Sequence, residues 1–124
     1  MPLVLIVDDN EKNRKLAAAV LSAAGFETLE AGTASEGLTL AASRAPDVIL
    51  MDLRLPDMDG SAAARMLRDD VQTARIPVVA MSALPLAGSG EWLDAAGFAG
   101  SIEKPISIDE LPDEVRRFCV DGTA

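Results

Sequence analysis

Three short, unbroken apolar runs constrain this chain more than anything else in it: Leu3-Val4-Leu5-Ile6-Val7, Val48-Ile49-Leu50-Met51 and Val78-Val79-Ala80-Met81. A strand with one wet face alternates apolar and polar residues, whereas a run without alternation suits a strand buried on both faces. Amphipathic stretches separate the runs. After Asn10, a natural helix cap, Leu16, Val20 and Ala24 recur at helical spacing until Gly25 stops the pattern. Phe26 to Ala31 reads as a second, less apolar strand. Ala34 to Arg44 reads as a helix with Leu38 and Ala41 or Ala42 inward, broken by Ala45-Pro46. Leu55-Pro56-Asp57-Met58-Asp59-Gly60 is turn chemistry. A short helix follows with Ala63, Met66 and Leu67 on one side, ending near Asp69-Asp70.

The C-terminal third reads less sharply. Pro85, Gly88 and Gly90 make a loose link to a short helix around Glu91 to Ala96, and Gly97 stops it. Phe98 to Ile102 is the weakest strand. Leu111, Val115 and Phe118 mark a last helix. Ser107 with Glu110 resembles a capping box, which would place Pro112 inside the helix; a start at Asp109 would place it harmlessly in the first turn. Five strands alternating with five helices predict a parallel α/β sheet covered on both faces, flavodoxin-like in order 2-1-3-4-5. No linker, repeat or second domain is legible, so residues 1–124 read as a single domain.

Composition then excludes several functions. The chain has 124 residues, 49% of them apolar, which is enough for one domain with a real core. Its net charge of −9 with scattered Lys and Arg argues against direct nucleic-acid binding. Histidine is absent, which removes histidine catalysis and the usual zinc sites. The longest apolar stretch is far short of the ~20 residues that cross a bilayer. Neither a membrane role nor a secretory leader is expected, and the single Cys119, which reads as a small core residue, is compatible with a reducing cytoplasm.

The chemistry gathers where the apolar runs end. The first gives way to Asp8-Asp9, the second to Asp52 and the third to Ser82; Lys104 follows the weak fourth run and precedes Pro105. In folds of this type ligands sit outside the carboxyl ends of the strands, and strands one and three are neighbours. Asp8, Asp9 and Asp52 should therefore converge. Carboxylates that close need an offsetting charge, and Mg²⁺, with Mn²⁺ as a substitute, suits an all-oxygen donor set. Asp9 and Asp52 would ligate directly and Asp8 through water, with one backbone carbonyl, assigned to Arg54, from the loop after Asp52. Asp52 would be the nucleophile that takes a phosphoryl group, while Ser82 and Lys104 bind its oxygens. Asp57 and Asp59 read as turn formers rather than ligands. Gly88-Ser89-Gly90 lacks the third glycine and the lysine of a phosphate loop. Trp92 points outward by periodicity, so it either anchors a partner or folds over a neighbouring helix.

These residues carry a resemblance. The chain resembles a response-regulator receiver domain of two-component phosphorelays over essentially its whole length. The matching text is Val4-Leu5-Ile6-Val7-Asp8-Asp9-Asn10, Ile49 to Gly60, Met81-Ser82-Ala83 and Lys104-Pro105. The resemblance implies a non-enzyme signalling module that is phosphorylated on Asp52 by a partner's phosphohistidine, with Mg²⁺ required, and that slowly dephosphorylates itself. The partners it implies are a histidine kinase or histidine phosphotransfer protein, then a downstream protein on the face of the fourth helix, fifth strand and fifth helix. It further implies a cis bond before Pro105. The wording Lys104-Pro105-Ile106-Ser107 and the absence of an output domain resemble stand-alone and hybrid-kinase receivers. Many members carry Tyr or Phe at the switch position that is Ser101 here, so the aromatic half of the switch is missing. Arg54 and Leu84 occupy positions that tune aspartyl-phosphate lifetime in the family. Two rivals remain: a phosphorylation-independent interaction module, and a phosphatase with an aspartyl-phosphate intermediate. Asn10 and Arg54, standing where such phosphatases place a second acid, argue against the latter.

Overall fold

The computed structural model describes residues 2–82, 97–103 and 106–119. The strands are β1 (Leu3–Val7), β2 (Glu27–Ala31), β3 (Val48–Asp52), β4 (Val78–Ser82) and β5 (Gly100–Glu103). The described helices are α1 (Glu11–Ala23), α2 (Ala34–Arg44), α3 (Gly60–Asp69) and a C-terminal helix, Leu111–Phe118. The strands pair parallel in the order β2-β1-β3-β4-β5, the flavodoxin-like order expected.

The absence of alternation in the apolar runs has its cause in two cores, one on each face of the sheet. Leu5, Val7, Ile49, Met51, Val78 and Ala80 pack with Ala34 and Ala41 of α2 and Ala63, Ala64 and Leu67 of α3. Their strand neighbours Val4, Ile6, Val48, Leu50, Val79 and Met81 pack on the other face with Ala17, Ala18 and Leu21 of α1 and Leu111 and Val115 of the C-terminal helix. β2 is the outer strand, which is why its sequence is the least apolar of the first three strands, with only Ala31 buried.

The helix punctuation works as read. The Asn10 side chain accepts from the Asn13 N–H at 3.1 Å, Gly25 takes φ 98° just after α1, and Ala45 ends α2 in the left-handed region. Both alternatives at the last helix hold in part. Ser107 Oγ accepts from the Glu110 N–H at 3.3 Å over a preliminary turn, and the helix proper begins at Leu111 with Pro112 in its first turn.

Two inward faces differ from expectation. Leu16 is 41% exposed and Met66 52% exposed, and α1 buries Ala17, Ala18 and Leu21 instead. Small alanines let the helices approach the sheet closely, so the contact stripe centres on them and the long side chains fall at its margins. Val20 and Ala24 are only partly buried at that margin. Cys119 is half-buried against the core, as a small apolar residue. The expected helix around Glu91 to Ala96 lies outside the described residues, as do Trp92, Lys104 and Pro105 with its expected cis bond.

Candidate functional site

Register decides which residues meet. Val7 of β1 lies opposite Met51 of β3, so the residues that follow, Asp8 and Asp52, leave adjacent strands side by side. Asp52 in turn lies opposite Met81 of β4, one residue before Ser82. The carboxylate oxygens of Asp8, Asp9 and Asp52 all lie within 4.8 Å of one another. Asp8 and Asp52 are buried at 1% and 8% exposure and Ser82 at 7%, while Asp9 is exposed. Three of the five residues expected at the site, with Ser82 at its flank, are thus brought together, and Lys104 falls outside the description. Burying two like charges beside a third is costly without a compensating cation or hydrogen bonds.

The chain supplies some of those hydrogen bonds from its own backbone. The Asn10 N–H donates to Asp8 Oδ1 at 2.9 Å, and the Arg54 N–H donates to Asp52 Oδ1 at 3.1 Å. The Asp8 main chain is held on both sides. Its N–H donates to the Ala31 carbonyl at 3.0 Å, and its carbonyl accepts from Arg14 Nη1 at 2.9 Å. Arg14 Nε reaches Glu30 Oε1 at 3.0 Å, and Lys15 adds a second cation to Glu30 at 3.2 Å. Burial alone would push the Glu30 carboxyl up, but the hydrogen bonds and charges of Lys15 and Arg14 outweigh it and hold the group below its usual value.

The loop after Asp52 is fixed differently. Gly60 opens α3 by placing its N–H on the Leu53 carbonyl at 2.9 Å. Its Cα sits so near the Asp52 carbonyl that a side chain there would collide with backbone. A bridge between Arg54 and Asp59 closes the loop. Asp57, read from sequence as a turn former and not a ligand, reaches across to α2. Its two carboxylate oxygens accept from the Ala34 and Ser35 N–H groups, both at 2.9 Å. Those two bonds, Ser35's the stronger influence, hold the Asp57 carboxyl below its usual value. Among the described residues the Arg54 side chain makes no ion pair and is exposed. Ser101, in β5, pairs with Ala80 of β4 and is half-buried.

An all-oxygen trio at this spacing fits a hard divalent cation of the Mg²⁺ type and does not fit zinc, which favours nitrogen and sulfur donors. Together these features define a class: an open parallel α/β sheet carrying a buried acidic pocket at the carboxyl ends of its first and third strands.

The chain belongs to the response regulator receiver domain family, which matches residues 4–116. It is 36% identical over 119 residues to the polar-differentiation response regulator DivK of Brucella ovis, covering 96% of this chain and 97% of that one. Among solved structures it superposes on the chemotaxis response regulator CheY4 of Vibrio cholerae with a TM-score of 0.89 at 27% identity, covering 95% and 98% of the two chains. The receiver domain of NtrX from Brucella abortus gives a TM-score of 0.85 at 30% identity, covering 96% and 99%. The protein is accordingly a receiver domain of two-component signalling, a class of signalling proteins rather than enzymes. No helix among the described residues is long and apolar enough to cross a membrane.

Sequence reading missed Arg14, Glu30 and the reach of Asp57. Arg14 and Glu30 look like solvated surface charges in sequence, and nothing local betrays that a helix and an edge strand meet behind Asp8. Gly60 was legible as a turn residue, but the closeness of the Asp52 backbone was not.

Proposed function

We propose that this chain is a phosphoacceptor receiver in which Asp52 takes a phosphoryl group from a partner's phosphohistidine. The observation that carries the reading is the convergence of Asp8, Asp9 and Asp52 within 4.8 Å at the strand ends. A carboxylate oxygen of Asp52 attacks phosphorus; the P–O bond forms as the P–N bond breaks, and the departing imidazole keeps the electron pair. Asp9 and Asp52 would hold Mg²⁺ directly and Asp8 through water, with the Arg54 carbonyl as a further oxygen donor. Bound there, the cation screens charge on the phosphoryl oxygens and positions the donor. The Ser82 hydroxyl donates to one phosphoryl oxygen and Lys104 pairs with another. The Arg54 N–H, already on Asp52 Oδ1, steadies the acceptor carboxylate. Water then hydrolyses the acyl phosphate slowly.

The donor would be a histidine kinase or a histidine phosphotransfer protein in the cytoplasm. The downstream partner would read the face that includes Trp92, β5 and the C-terminal helix, with a half-buried Ser101 in place of an aromatic switch. Residues 1–124 would act as one receiver domain. Asp52→Asn is expected to abolish Mg²⁺-dependent labelling by acetyl phosphate; labelling that persists at the wild-type level sinks the assignment.

A further inference from the structure

Arg14 is out of place as a solvated charge. It sits in the first turn of α1, its side chain is only 16% exposed, and each of its two hydrogen bonds serves a different element. Nη1 donates to the Asp8 carbonyl at 2.9 Å, and Nε donates to Glu30 Oε1 on β2 at 3.0 Å. The next residue of β2, Ala31, accepts the Asp8 N–H at 3.0 Å. The Asp8 main chain is therefore clamped on one side by β2 directly and on the other by β2 through Arg14. The Asp8 side chain also accepts from the Asn10 N–H.

We infer that Arg14, anchored by Glu30, is a positioning residue that fixes the orientation of the Asp8–Asp9 turn and thereby sets the affinity of the site for a divalent cation. This rests on the metal-binding reading above. The clamp has two effects of opposite sign. As a cation behind three carboxylates, Arg14 opposes binding of a second cation. As a clamp, it spares the turn from ordering itself on binding. Outer partners that orient metal ligands commonly contribute about 10- to 100-fold in affinity, whereas the charge of Arg14 is already offset by its ion pair with Glu30. Positioning therefore dominates.

The test is Mg²⁺ binding by isothermal titration to the full chain, for wild type, Arg14→Met, Arg14→Lys and Glu30→Gln, with circular dichroism and thermal melting as fold controls. Arg14→Met is expected to weaken Mg²⁺ binding about 10-fold. Arg14→Lys keeps the charge but lacks the planar fork that spans the two acceptors, so it recovers part of the loss. Glu30→Gln weakens binding less than Arg14→Met does. In metal-free protein, the Asp9 and Asn10 amide resonances shift in Arg14→Met and return toward wild type in Arg14→Lys. A folded Arg14→Met with wild-type or tighter Mg²⁺ affinity overturns the inference, because only the electrostatic effect would then remain. If Arg14→Met fails to fold, unchanged affinity in both Arg14→Lys and Glu30→Gln overturns it equally. Wild-type protein that binds no Mg²⁺ refutes the metal reading itself, a result distinct from unchanged variants of a wild type that does bind.

Discussion

Two connections bring the acids together, and they are built on different principles. The β1–α1 turn, carrying Asp8 and Asp9, is short and held by polar side chains: Asn10 caps α1, Arg14 takes the Asp8 carbonyl, and Glu30 anchors Arg14. The β3–α3 loop, carrying Asp52 at its start, is longer and held mainly through its backbone: Gly60 against the Asp52 carbonyl, Leu53 bonded to both Gly60 and Met81, and Arg54 bridged to Asp59. Asp57 adds a side-chain tie to the start of α2. A polar clamp can be loosened without unfolding anything, whereas packed backbone cannot. Substitutions in the first connection should therefore change ligand affinity, and substitutions in the second should change stability.

The largest effect is expected at Gly60. Alanine in a helix normally gains about 1 kcal/mol over glycine, but a Cβ here meets the Asp52 carbonyl and lies 2.9 Å from Leu53 Cα. Gly60→Ala should lose about 2–3 kcal/mol in urea unfolding, as overpacking against unyielding atoms does. Gly32→Ala, on the β2–α2 connection beside the site, meets only Arg14 Nη1 at 3.5 Å and should stay within about 0.5 kcal/mol. Equal losses at the two glycines would break the comparison.

Asp57 tests the side-chain tie. Because the folded protein holds its carboxyl below the ordinary value of 3.8, the stabilisation is fully present above that pH and is lost as pH falls through the lower folded value. Asp57→Ala should therefore melt a few degrees below wild type at neutral pH, with the two curves converging in stronger acid. A gap that persists there would show that the bonds to α2 do not depend on the charge.

Glu30 on the polar side behaves with the same sign: its contribution is present above 4.5 and is lost as pH falls through the lower folded value. Glu30→Gln should cost about 0.5 kcal/mol, as expected for a partly exposed ion pair. That stability loss should be far smaller than the loss at Gly60.

The smallest effect lies away from both connections. Burial, then the charge of Glu110, pushes the Glu114 carboxyl above 4.5, so the folded state there loses stability as pH rises through the raised value. Glu114→Gln should gain up to about 0.5 kcal/mol at neutral pH. A loss on thermal melting would mean that attraction to the Arg117 charge outweighs its burial.

Much of the fold was legible because the determining signals are local. Leu3–Val7 and Ala34–Arg44 have the bounds their sequence predicts, since an unbroken apolar run and a capped periodic stretch each carry their own ends. The acid trio was legible for a related reason: strand-end residues on neighbouring parallel strands must meet once the strand order is given. Which face of α1 turns inward was not legible. Leu16 and Val20 fit helical periodicity as well as Ala17 and Leu21 do, and only the distance between helix and sheet selects the alanine stripe. Arg14 shows the same limit at the site, because its two acceptors come from β1 and β2 and meet only when the sheet forms.

The sequence alone determined the three apolar strands, their burial on both faces and the identity of the three acids, because hydrophobic periodicity and residue chemistry are properties of short segments. Tertiary structure decided what those acids lean on. The register that sets Asp8 beside Asp52, the Arg14–Glu30 clamp behind one acid and the glycine pressed against the backbone of the other all join residues that lie apart in the chain, and their energies exist only when the elements carrying them pack.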